Sequence, residues 1–319
     1  MTMNHKKIIV TGATGFLGRH LLPILKSTYG EDHVVGLSTK DFNLLKEEQV
    51  EGLFEFYKPE TVIHLAAYSG GIGANSQYPA DFFYKNSLFV TLMFEAAAKF
   101  GVKKLIYPMG GCSYPATAKS PISEDQMWNG YPQSESAGYS VAKKMGIVTS
   151  QAYRQQYGLN SVVLIPGNMY GEYDNFRDKE SHVVPAMVRR YYETQLKNES
   201  TITMWGDGSA IRDFVYAGDV ARLIPWFIEN YDSSEHINLS SGVQTSIKDL
   251  ATTIKNKMLW QGAIEWDTTK PNGQLMKLFD VKKLNGLGLS CPTSLEEGLD
   301  KTIFWLKNNY SKQSDGIRL

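Results

Sequence analysis

Close to the start of the chain, a β-branched run (7–10) leads into a glycine-rich turn and then into an apolar helical pattern. The turn reads Gly12-Ala13-Thr14-Gly15-Phe16-Leu17-Gly18. Gly12 permits a tight turn, Gly15 leaves the backbone open to a close ligand, and Gly18 lets the helix pack against the strand. The helix N-terminus offers free N–H groups and a positive dipole end to phosphates. This feature predicts a strand-turn-helix unit that binds a dinucleotide through its pyrophosphate.

Strands and helices alternate through the first half of the chain. Short apolar runs predict further strands at 34–37, 61–65, 104–107 and 161–165. Helical periodicity predicts helices between them at 44–56, 81–100 and 139–157. Such alternation is typical of a parallel sheet whose strands are joined by right-handed crossovers.

After residue 165 the alternation loosens into a polar loop and shorter elements. The sequence therefore predicts an α/β fold, with a Rossmann doubly wound parallel sheet and a smaller interleaved C-terminal α/β substrate lobe. Residues 1–166 would form the dinucleotide-binding domain, which would also receive about 213–241. Residues 167–212 and 242–319 would form the substrate lobe.

Composition excludes several classes of function. Lys plus Arg number 33 and Asp plus Glu number 33, which argues against a protein that coats nucleic acid or an anionic membrane. No run of about 18 apolar residues and no leader sequence is visible, so we expect a cytoplasmic protein without a membrane partner. Cys112 and Cys291 are too few and too far apart for a disulfide framework or a thiolate metal site, and no metal is expected.

The end of the second strand bears on the choice of cofactor. A carboxylate there would accept hydrogen bonds from the ribose 2′-OH of NAD and repel the 2′-phosphate of NADP. The chain has Ser38, Thr39 and Lys40 at this place. These two hydroxyls and a cation favour NADP. NAD remains the alternative, because the Asp41 carboxylate could turn in and because Lys40 could be a solvated loop charge.

Tyr139 and Lys143 lie four residues apart in a predicted helix, and therefore on one face of it. A tyrosine with its ordinary pKa near 10 exchanges protons poorly at neutral pH. A neighbouring ammonium favours the phenolate, so the pair could move a proton to or from a substrate oxygen while hydride passes to or from nicotinamide. The alternative is an ordinary surface pair, which the glycine turn upstream makes less attractive.

Together these motifs resemble the extended short-chain dehydrogenase/reductases. A closer resemblance is to the GDP-L-fucose synthase family of GDP-4-keto-6-deoxymannose 3,5-epimerase/4-reductases. The matching stretches cover most of the chain and are 69–75, 78–82, Cys112 with Tyr114-Pro115, 139–146, 168–171, 174–176, 181–190, 205–208, 212–214, 270–273 and 277–278.

The resemblance implies a nucleotide-sugar substrate, GDP-linked, and roles for four catalytic residues. Tyr139 would be the proton donor for reduction at C4, with Lys143 bound to the nicotinamide ribose. Cys112 and His182 would be the acid/base pair for epimerisation. A C4 ketone acidifies the hydrogens at C3 and C5, and a thiol and an imidazole both titrate near neutrality. Alternatively, Cys112 is a small buried filler and His182 a capping residue.

The resemblance also implies two binding sets. The cofactor would contact Gly12, Thr14, Gly15, Phe16, Leu17, Ser38, Thr39, Lys40, Ala66, Ala67, Asn86, Tyr139, Lys143 and Asn168. The substrate would contact Ser113, Asn168, Val183, Arg190, Trp205, Arg212 and Lys277. Of these, Arg190, Arg212 and Lys277 would bind the diphosphate through charge-assisted hydrogen bonds. The alternative for Arg190 is a solvated helix face.

Two positions depart from the family pattern. The family carries a serine two residues before the cysteine, and that hydroxyl shares the substrate oxygen with the tyrosine. This chain has Gly110 there, so we expect that Ser113 or a water replaces the hydroxyl, or that the loop admits a bulkier sugar. Thr14 stands where the family often has an arginine for the 2′-phosphate, and Arg19 could partly compensate.

Three functions stay open on the sequence. The first is the epimerase/reductase. The second is a C4 dehydrogenase, reductase or 4-epimerase that uses Tyr139 and Lys143 without 3,5-epimerisation. The third is a non-catalytic dinucleotide-binding protein. The resemblance further implies a homodimer, or a larger homo-oligomer, paired through the helices at 81–100 and 139–157.

Overall fold

The computed structural model describes residues 7–177, 181–270 and 272–310. The other parts of the predicted domains, 1–6, 178–180, 271 and 311–319, lie outside these ranges. The β-strands in these ranges are β1 (Ile8–Thr11), β2 (Val34–Leu37), β3 (Thr61–His64), β4 (Lys104–Pro108), β5 (Ser161–Pro166), β6 (Asn168–Tyr170), β7 (Thr201–Trp205), β8 (Ile211–Arg212), β9 (Phe214–Tyr216), β10 (Ile237–Leu239), β11 (Thr245–Ser246), β12 (Ala263–Asp267) and β13 (Met276–Lys277).

Helices connect most of these strands. They are α1 (Phe16–Tyr29), α2 (Glu47–Tyr57), α3 (Ile72–Gln77), α4 (Pro79–Lys99), α5 (Ala137–Tyr157), α6 (Val183–Leu196), α7 (Ala217–Asn230), α8 (Ile247–Lys257), α9 (Lys282–Gly286) and α10 (Leu295–Asn309). Short 3-10 turns lie at Glu31–His33, Gly111–Ser113, Glu124–Trp128 and Ser134–Ser136. No helix in the described ranges is both long enough and apolar enough to cross a bilayer.

The main sheet has the strand order β10-β5-β4-β3-β1-β2, and each neighbouring pair is parallel. Strand β1 lies between β3 and the edge strand β2, and the register pairs Thr11 with both Leu37 and His64. The carboxyl ends of β1, β2 and β3 therefore meet at one edge of the sheet. This arrangement confirms the predicted Rossmann doubly wound fold.

Helices cover both faces of this sheet, which explains its continuous apolar strands. On one face, Ile8 and Val10 of β1 pack with apolar residues of α1 and α7. On the other face, Ile9 packs with residues of α2, α4 and α5. Because α7 and β10 join this body, part of 213–241 lies against the first half of the chain. The exact domain division stays a prediction.

A second apolar core lies in the C-terminal part. It joins α6, α8 and α10 with β7 and the strand pair β6–β9. Two small sheets stand beside it, with orders β11-β8-β13 and β12-β7. Strands β12 and β13 were not predicted from the sequence, because they are too short or too polar to stand out from the loops around them.

A tight contact between α5 and β4 sets the position of the predicted catalytic helix. Gly146 of α5 lies against the fully buried ring of Tyr107, and a Cβ at this glycine would overlap the ring. We therefore expect Gly146→Ala to destabilise the protein by about 1–3 kcal/mol through overpacking, measured by urea unfolding.

Gly52 of α2 is the matched control for that substitution. A Cβ there would meet no atom within 4 Å, so Gly52→Ala should stabilise the protein by about 0.5–1 kcal/mol through helix propensity. Equal unfolding midpoints for Gly146→Ala and wild type would show that the α5–β4 contact is looser than described.

Candidate active site

The glycine turn has the geometry of a phosphate cradle. Gly12 adopts a φ of +70°, and a Cβ on it would lie 2.7 Å from the backbone nitrogen of Ala66. A Cβ on Gly18 would lie 2.5 Å from the Gly12 oxygen. Gly15 is the N-cap of α1, no side chain caps this helix, and its first turn has no acidic residue. No side chain competes for the N–H groups at the start of α1, so the turn fits a dinucleotide pyrophosphate.

The β2 end of the cradle is a tight polar turn. The Asp41 carboxylate accepts hydrogen bonds from the backbone nitrogen of Ser38, at 2.7 Å, and from its hydroxyl, at 2.8 Å. These bonds lower the pKa of Asp41. Thr39 and Lys40 are exposed beside it. The Asp41 carboxylate is therefore hydrogen-bonded to Ser38, the first of the three residues, Ser38, Thr39 and Lys40, that the sequence assigns to the cofactor.

Other predicted cofactor residues line the same edge. Ala66 and Ala67 follow β3 and are partly exposed, and Thr14 is exposed at the turn. Asn86 is buried and its amide bonds both the nitrogen and the oxygen of Tyr68, so it fixes the loop after β3. Asn168 donates to the carbonyl of Asp213 at 2.8 Å, which ties β6 to the strand segment beside β9.

Helix α5 carries the tyrosine–lysine pair. Lys143 is only 3% exposed, and its Nζ lies 4.1 Å from the centroid of the Tyr107 ring. Burial lowers the pKa of Lys143 to about 7. Burial raises the pKa of Tyr139 above its ordinary value, and the negative charge of a Cys112 thiolate would raise it further. At neutral pH the Tyr139 phenol therefore keeps its proton, while Lys143 can gain or lose one.

Sequence reasoning missed the support beneath Lys143. The ring of His64 stacks on Tyr107 at a centroid distance of 5.9 Å, and the His64 Nδ1 is hydrogen-bonded with Thr11 at 2.8 Å. Burial and the nearby Lys143 ammonium lower the pKa of His64 to about 3, so this imidazole is neutral. The only sequence signal was a histidine at the end of a buried strand, which is uncommon among apolar strand residues.

The loop after β4 places Cys112 beside this pair. Gly111 lies against Phe279, so that a Cβ there would be 2.5 Å from the Phe279 ring. Gly110 has different neighbours. A Cβ on it would lie 3.0 Å from Cys112 Sγ and 3.8 Å from the Tyr139 hydroxyl. Cys112 is partly exposed and interacts electrostatically with Tyr139 and Lys143. The structure therefore brings Cys112 together with the tyrosine–lysine pair.

Two residues of the predicted site, His182 and Ser113, form no side-chain hydrogen bond with Cys112, Tyr139 or Lys143 in the described structure. His182 is exposed at the start of α6, and no hydrogen bond or ring contact joins it to Cys112 in the described structure. Ser113 is fully buried, and its Oγ has no hydrogen-bond partner among the described residues. Ser113 therefore does not reach the cleft surface in this structure, although the sequence assigned it to the substrate.

Cations from distant parts of the chain converge next to Cys112. Lys277 of β13 pairs in register with Arg212 of β8. The Lys277 ammonium interacts electrostatically with both Cys112 and Arg212, and burial lowers its pKa. Its Nζ lies 5.8 Å from the Phe279 ring centroid. Lys277 thus lies beside the thiol and Arg212 lies beside Lys277, and an anionic ligand could bind to this pair of positive charges.

The remaining predicted substrate residues lie further out. Arg190 is exposed and donates to the carbonyl of Thr203 in β7 at 2.9 Å. Trp205 ends the same strand and is 65% exposed, and Val183 is exposed at the start of α6. Among the described residues no group of three or more His, Cys, Asp or Glu side chains could hold a metal ion.

Comparison with known proteins finds relatives over most of the chain. The model of the NAD dependent epimerase/dehydratase family matches residues 8–240. A putative GDP-L-fucose synthase of Arabidopsis thaliana is 37% identical over 303 residues, which cover 95% of this chain and 92% of that protein.

Solved structures of enzymes that act on GDP-sugars are also similar to this chain. A GDP-L-fucose synthetase from Naegleria fowleri bound to NADP has a TM-score of 0.88 at 29% identity, covering 98% of this chain and 96% of that one. A GDP-mannoheptose C4 reductase from Campylobacter jejuni with NADP bound has a TM-score of 0.85 at 26% identity, covering 96% and 100%. This chain belongs to the NAD dependent epimerase/dehydratase family, whose members are enzymes of the extended short-chain dehydrogenase/reductase type.

Proposed function

We propose that this protein is an NADP-dependent epimerase/reductase that acts on a GDP-linked 4-keto deoxysugar. The observation that carries the proposal is the convergence of Cys112, Tyr139 and Lys143 at the carboxyl edge of the sheet. A group that can exchange a proton with carbon, Cys112, thereby lies next to a group that can donate a proton to oxygen, Tyr139. GDP-L-fucose synthases among the relatives, and the NADP in two similar structures, support the substrate class and the cofactor.

In the proposed reduction, NADPH bound at the glycine turn would supply the hydride. Tyr139 would donate its phenolic proton to the C4 oxygen as the carbonyl becomes an alcohol. The raised pKa of Tyr139 keeps that proton on the phenol at neutral pH. Lys143 would hold the ribose hydroxyls and, as a cation, stabilise the phenolate that forms.

In the proposed epimerisation, Cys112 and His182 would act on the carbons flanking the C4 ketone. One group removes the acidified proton from C3 or C5, and the other returns a proton to the opposite face. The partly exposed Cys112 supports the first role. His182 stands at the exposed start of α6, where it can be reached by a ligand that also contacts Val183 and Arg190.

The nucleotide would extend along the C-terminal lobe. Arg212 and Lys277 are adjacent in register and would bind the diphosphate nearest the sugar. Arg190 and the exposed ring of Trp205 would contact the outer part of the nucleotide. Asn168 would lie between sugar and cofactor, and Ser113 would contribute only after a local movement that exposes its hydroxyl.

Solvent exchange tests this function. Incubated in D₂O with NADP⁺ and GDP-4-keto-6-deoxymannose, the wild type should incorporate deuterium at C3 and C5, detected by NMR. Removing the base or the acid should lower exchange by about 10²–10⁴-fold in Cys112→Ala and in His182→Gln. With NADPH the wild type should form a C4-reduced product faster than with NADH.

Cys291→Ala is the matched control for that exchange. This second thiol is buried in the segment before α10 and is assigned no part in the site, so its removal should leave exchange at the wild-type rate. Turnover of no nucleotide sugar by the wild type would contradict the proposal.

A second function, C4 reduction without 3,5-epimerisation, is favoured by the position of His182. Among the described residues no hydrogen bond or ring contact joins His182 to Cys112. A similar structure, described as a GDP-mannoheptose C4 reductase, supports this alternative. This alternative predicts NADPH oxidation by the wild type with no deuterium at C3 or C5. Product formation and exchange in the same sample therefore separate the two functions.

We also propose a homodimer formed through α4 and α5. These helices pack along each other, and their outer faces carry large exposed apolar side chains, including Phe83, Tyr84 at 61% and Val148 at 53%. Exposed apolar surface of this kind is typical of a protein interface.

A further inference from the structure

Gly110 lies beside two of the proposed reacting groups, Cys112 and Tyr139. Its backbone is extended, with a φ of −88° and a ψ of 142°, a conformation open to any residue. Gly111, by contrast, has no room for a side chain because Phe279 lies against it. The backbone therefore does not require glycine at 110, and the missing side chain leaves space beside the Tyr139 hydroxyl.

Cys112 occupies the border of that space. A Cβ at residue 110 would approach Sγ to 3.0 Å, which is closer than ordinary contact and would force the sulfur to shift. The thiol therefore borders the space that a side chain at 110 would occupy, and a side chain there would move the sulfur by a few tenths of an ångström. The electrostatic interactions of Cys112 with Tyr139 and Lys143 agree with this placement.

A ketone that is being reduced needs more than one donor. Negative charge develops on its oxygen, which has two lone pairs, and preorganised donors at such an oxygen are a large source of catalysis. Tyr139 can serve one lone pair. The buried Ser113 hydroxyl does not reach the cleft, and the Tyr107 hydroxyl donates to the carbonyl of Lys143. Of these neighbours, only the Cys112 thiol is both partly exposed and next to Tyr139.

We propose that the Cys112 thiol donates the second hydrogen bond to the C4 oxygen during hydride transfer, at the place that Gly110 leaves open. The inference rests on the proposed function and gives Cys112 a part in both of its halves. In the reduction, hydride forms the new C4–H bond and the carbonyl π electrons move to oxygen. That oxygen takes the proton of Tyr139, which solvent later replaces, while the thiol keeps its own proton.

The same residue can serve both steps in order. A thiolate that removes a proton from carbon becomes a thiol, and the thiol is the form that donates a hydrogen bond. Because a thiol is a weaker donor than a hydroxyl, serine at position 110 should be able to replace it. Gly110→Ser therefore offers a rescue that a purely structural role for Cys112 would not allow.

The test uses the reverse reaction, because oxidation of a C4 alcohol begins with hydride removal and needs no proton abstraction from carbon. Enzyme in excess is mixed with GDP-L-fucose and NADP⁺, and the first turnover is followed by NADPH absorbance. Loss of the donor should slow this turnover by about 10–100-fold in Cys112→Ala, below the effect of a strong oxyanion donor. Cys112→Ser, which keeps a donor, should remain within about threefold of wild type.

The double variant Gly110→Ser/Cys112→Ala should recover most of the lost rate, with GDP-L-fucose affinity unchanged throughout. A Cys112→Ala enzyme as fast as wild type would overturn the inference while leaving the proposed function intact. A double variant no faster than Cys112→Ala would overturn it equally. A wild type that forms no NADPH from GDP-L-fucose would instead count against the proposed function, and against the inference with it.

Discussion

Tyr139→Phe should slow C4 reduction by about 10²–10⁴-fold, the range for loss of a general acid. The phenylalanine keeps the ring, which makes an edge contact with Phe82 at 6.3 Å, but removes the proton that the C4 oxygen must receive. Burial keeps that proton on the wild-type phenol at neutral pH, so the phenol is in the form that can donate it. The measurement is kcat with NADPH and a GDP-4-keto sugar, together with the affinity for NADPH.

Tyr153→Phe is the matched control on the same helix. Its hydroxyl donates to Glu95 of the neighbouring helix α4 at 2.6 Å, and Tyr153 is assigned no part in the site. This variant should keep wild-type kcat, and both variants should bind NADPH as wild type does. A Tyr139→Phe enzyme that retains a tenth or more of the rate would show that another group protonates the substrate.

The main sheet could be predicted because its information is local. β1 is a run of β-branched residues followed at once by a turn whose glycines have backbone reasons to be there, as the φ of Gly12 and the contact of Gly18 show. Helix α3 could not be predicted in this way. It is six residues long, starts after a glycine and lacks an apolar stripe, so only packing against its surroundings sustains it.

The candidate site likewise has a part that local sequence specifies and a part that only the tertiary structure specifies. Tyr139 and Lys143 are four residues apart in one helix, and that spacing alone places them together. Arg212 and Lys277 meet only because the two-residue strands β8 and β13 pair in register, and nothing local in either segment specifies that pairing. The resemblance suggested the convergence, and the strand register supplies its physical basis.

Position 113 shows where sequence reasoning ends. A serine next to the candidate catalytic Cys112 is a reasonable substitute for a missing hydroxyl, and the sequence contains nothing against it. In the structure a 3-10 turn spans Gly111–Ser113, and this turn leaves Cys112 partly exposed but buries Ser113. The direction of a side chain in so tight a turn depends on backbone angles that composition does not reveal.

Lys143→Met should combine lost activity with gained stability. Without the ammonium, reduction should fall by about 10²-fold, because a fixed charge beside the reacting groups is removed. Burial holds the pKa of Lys143 at about 7, below its ordinary 10.5, so the folded wild type carries a buried charge below pH 7. Urea unfolding should therefore show Lys143→Met to be more stable than wild type, with the largest difference below pH 7.

That difference should shrink as pH rises from 7 toward 10.5, because the folded lysine is neutral there while the unfolded one still binds a proton. Over the same rise, kcat/KM for NADPH should fall in the wild type as the cation is lost, and Lys143→Met should lack this limb. Lys144→Met is the control for the kcat/KM limb alone, because Lys144 lies over the exposed Trp128 ring at 4.7 Å. It does not control the stability difference, since Lys144 is also buried and burial lowers its pKa. A pH-independent kcat/KM in the wild type would show that Lys143 keeps its charge in the free enzyme.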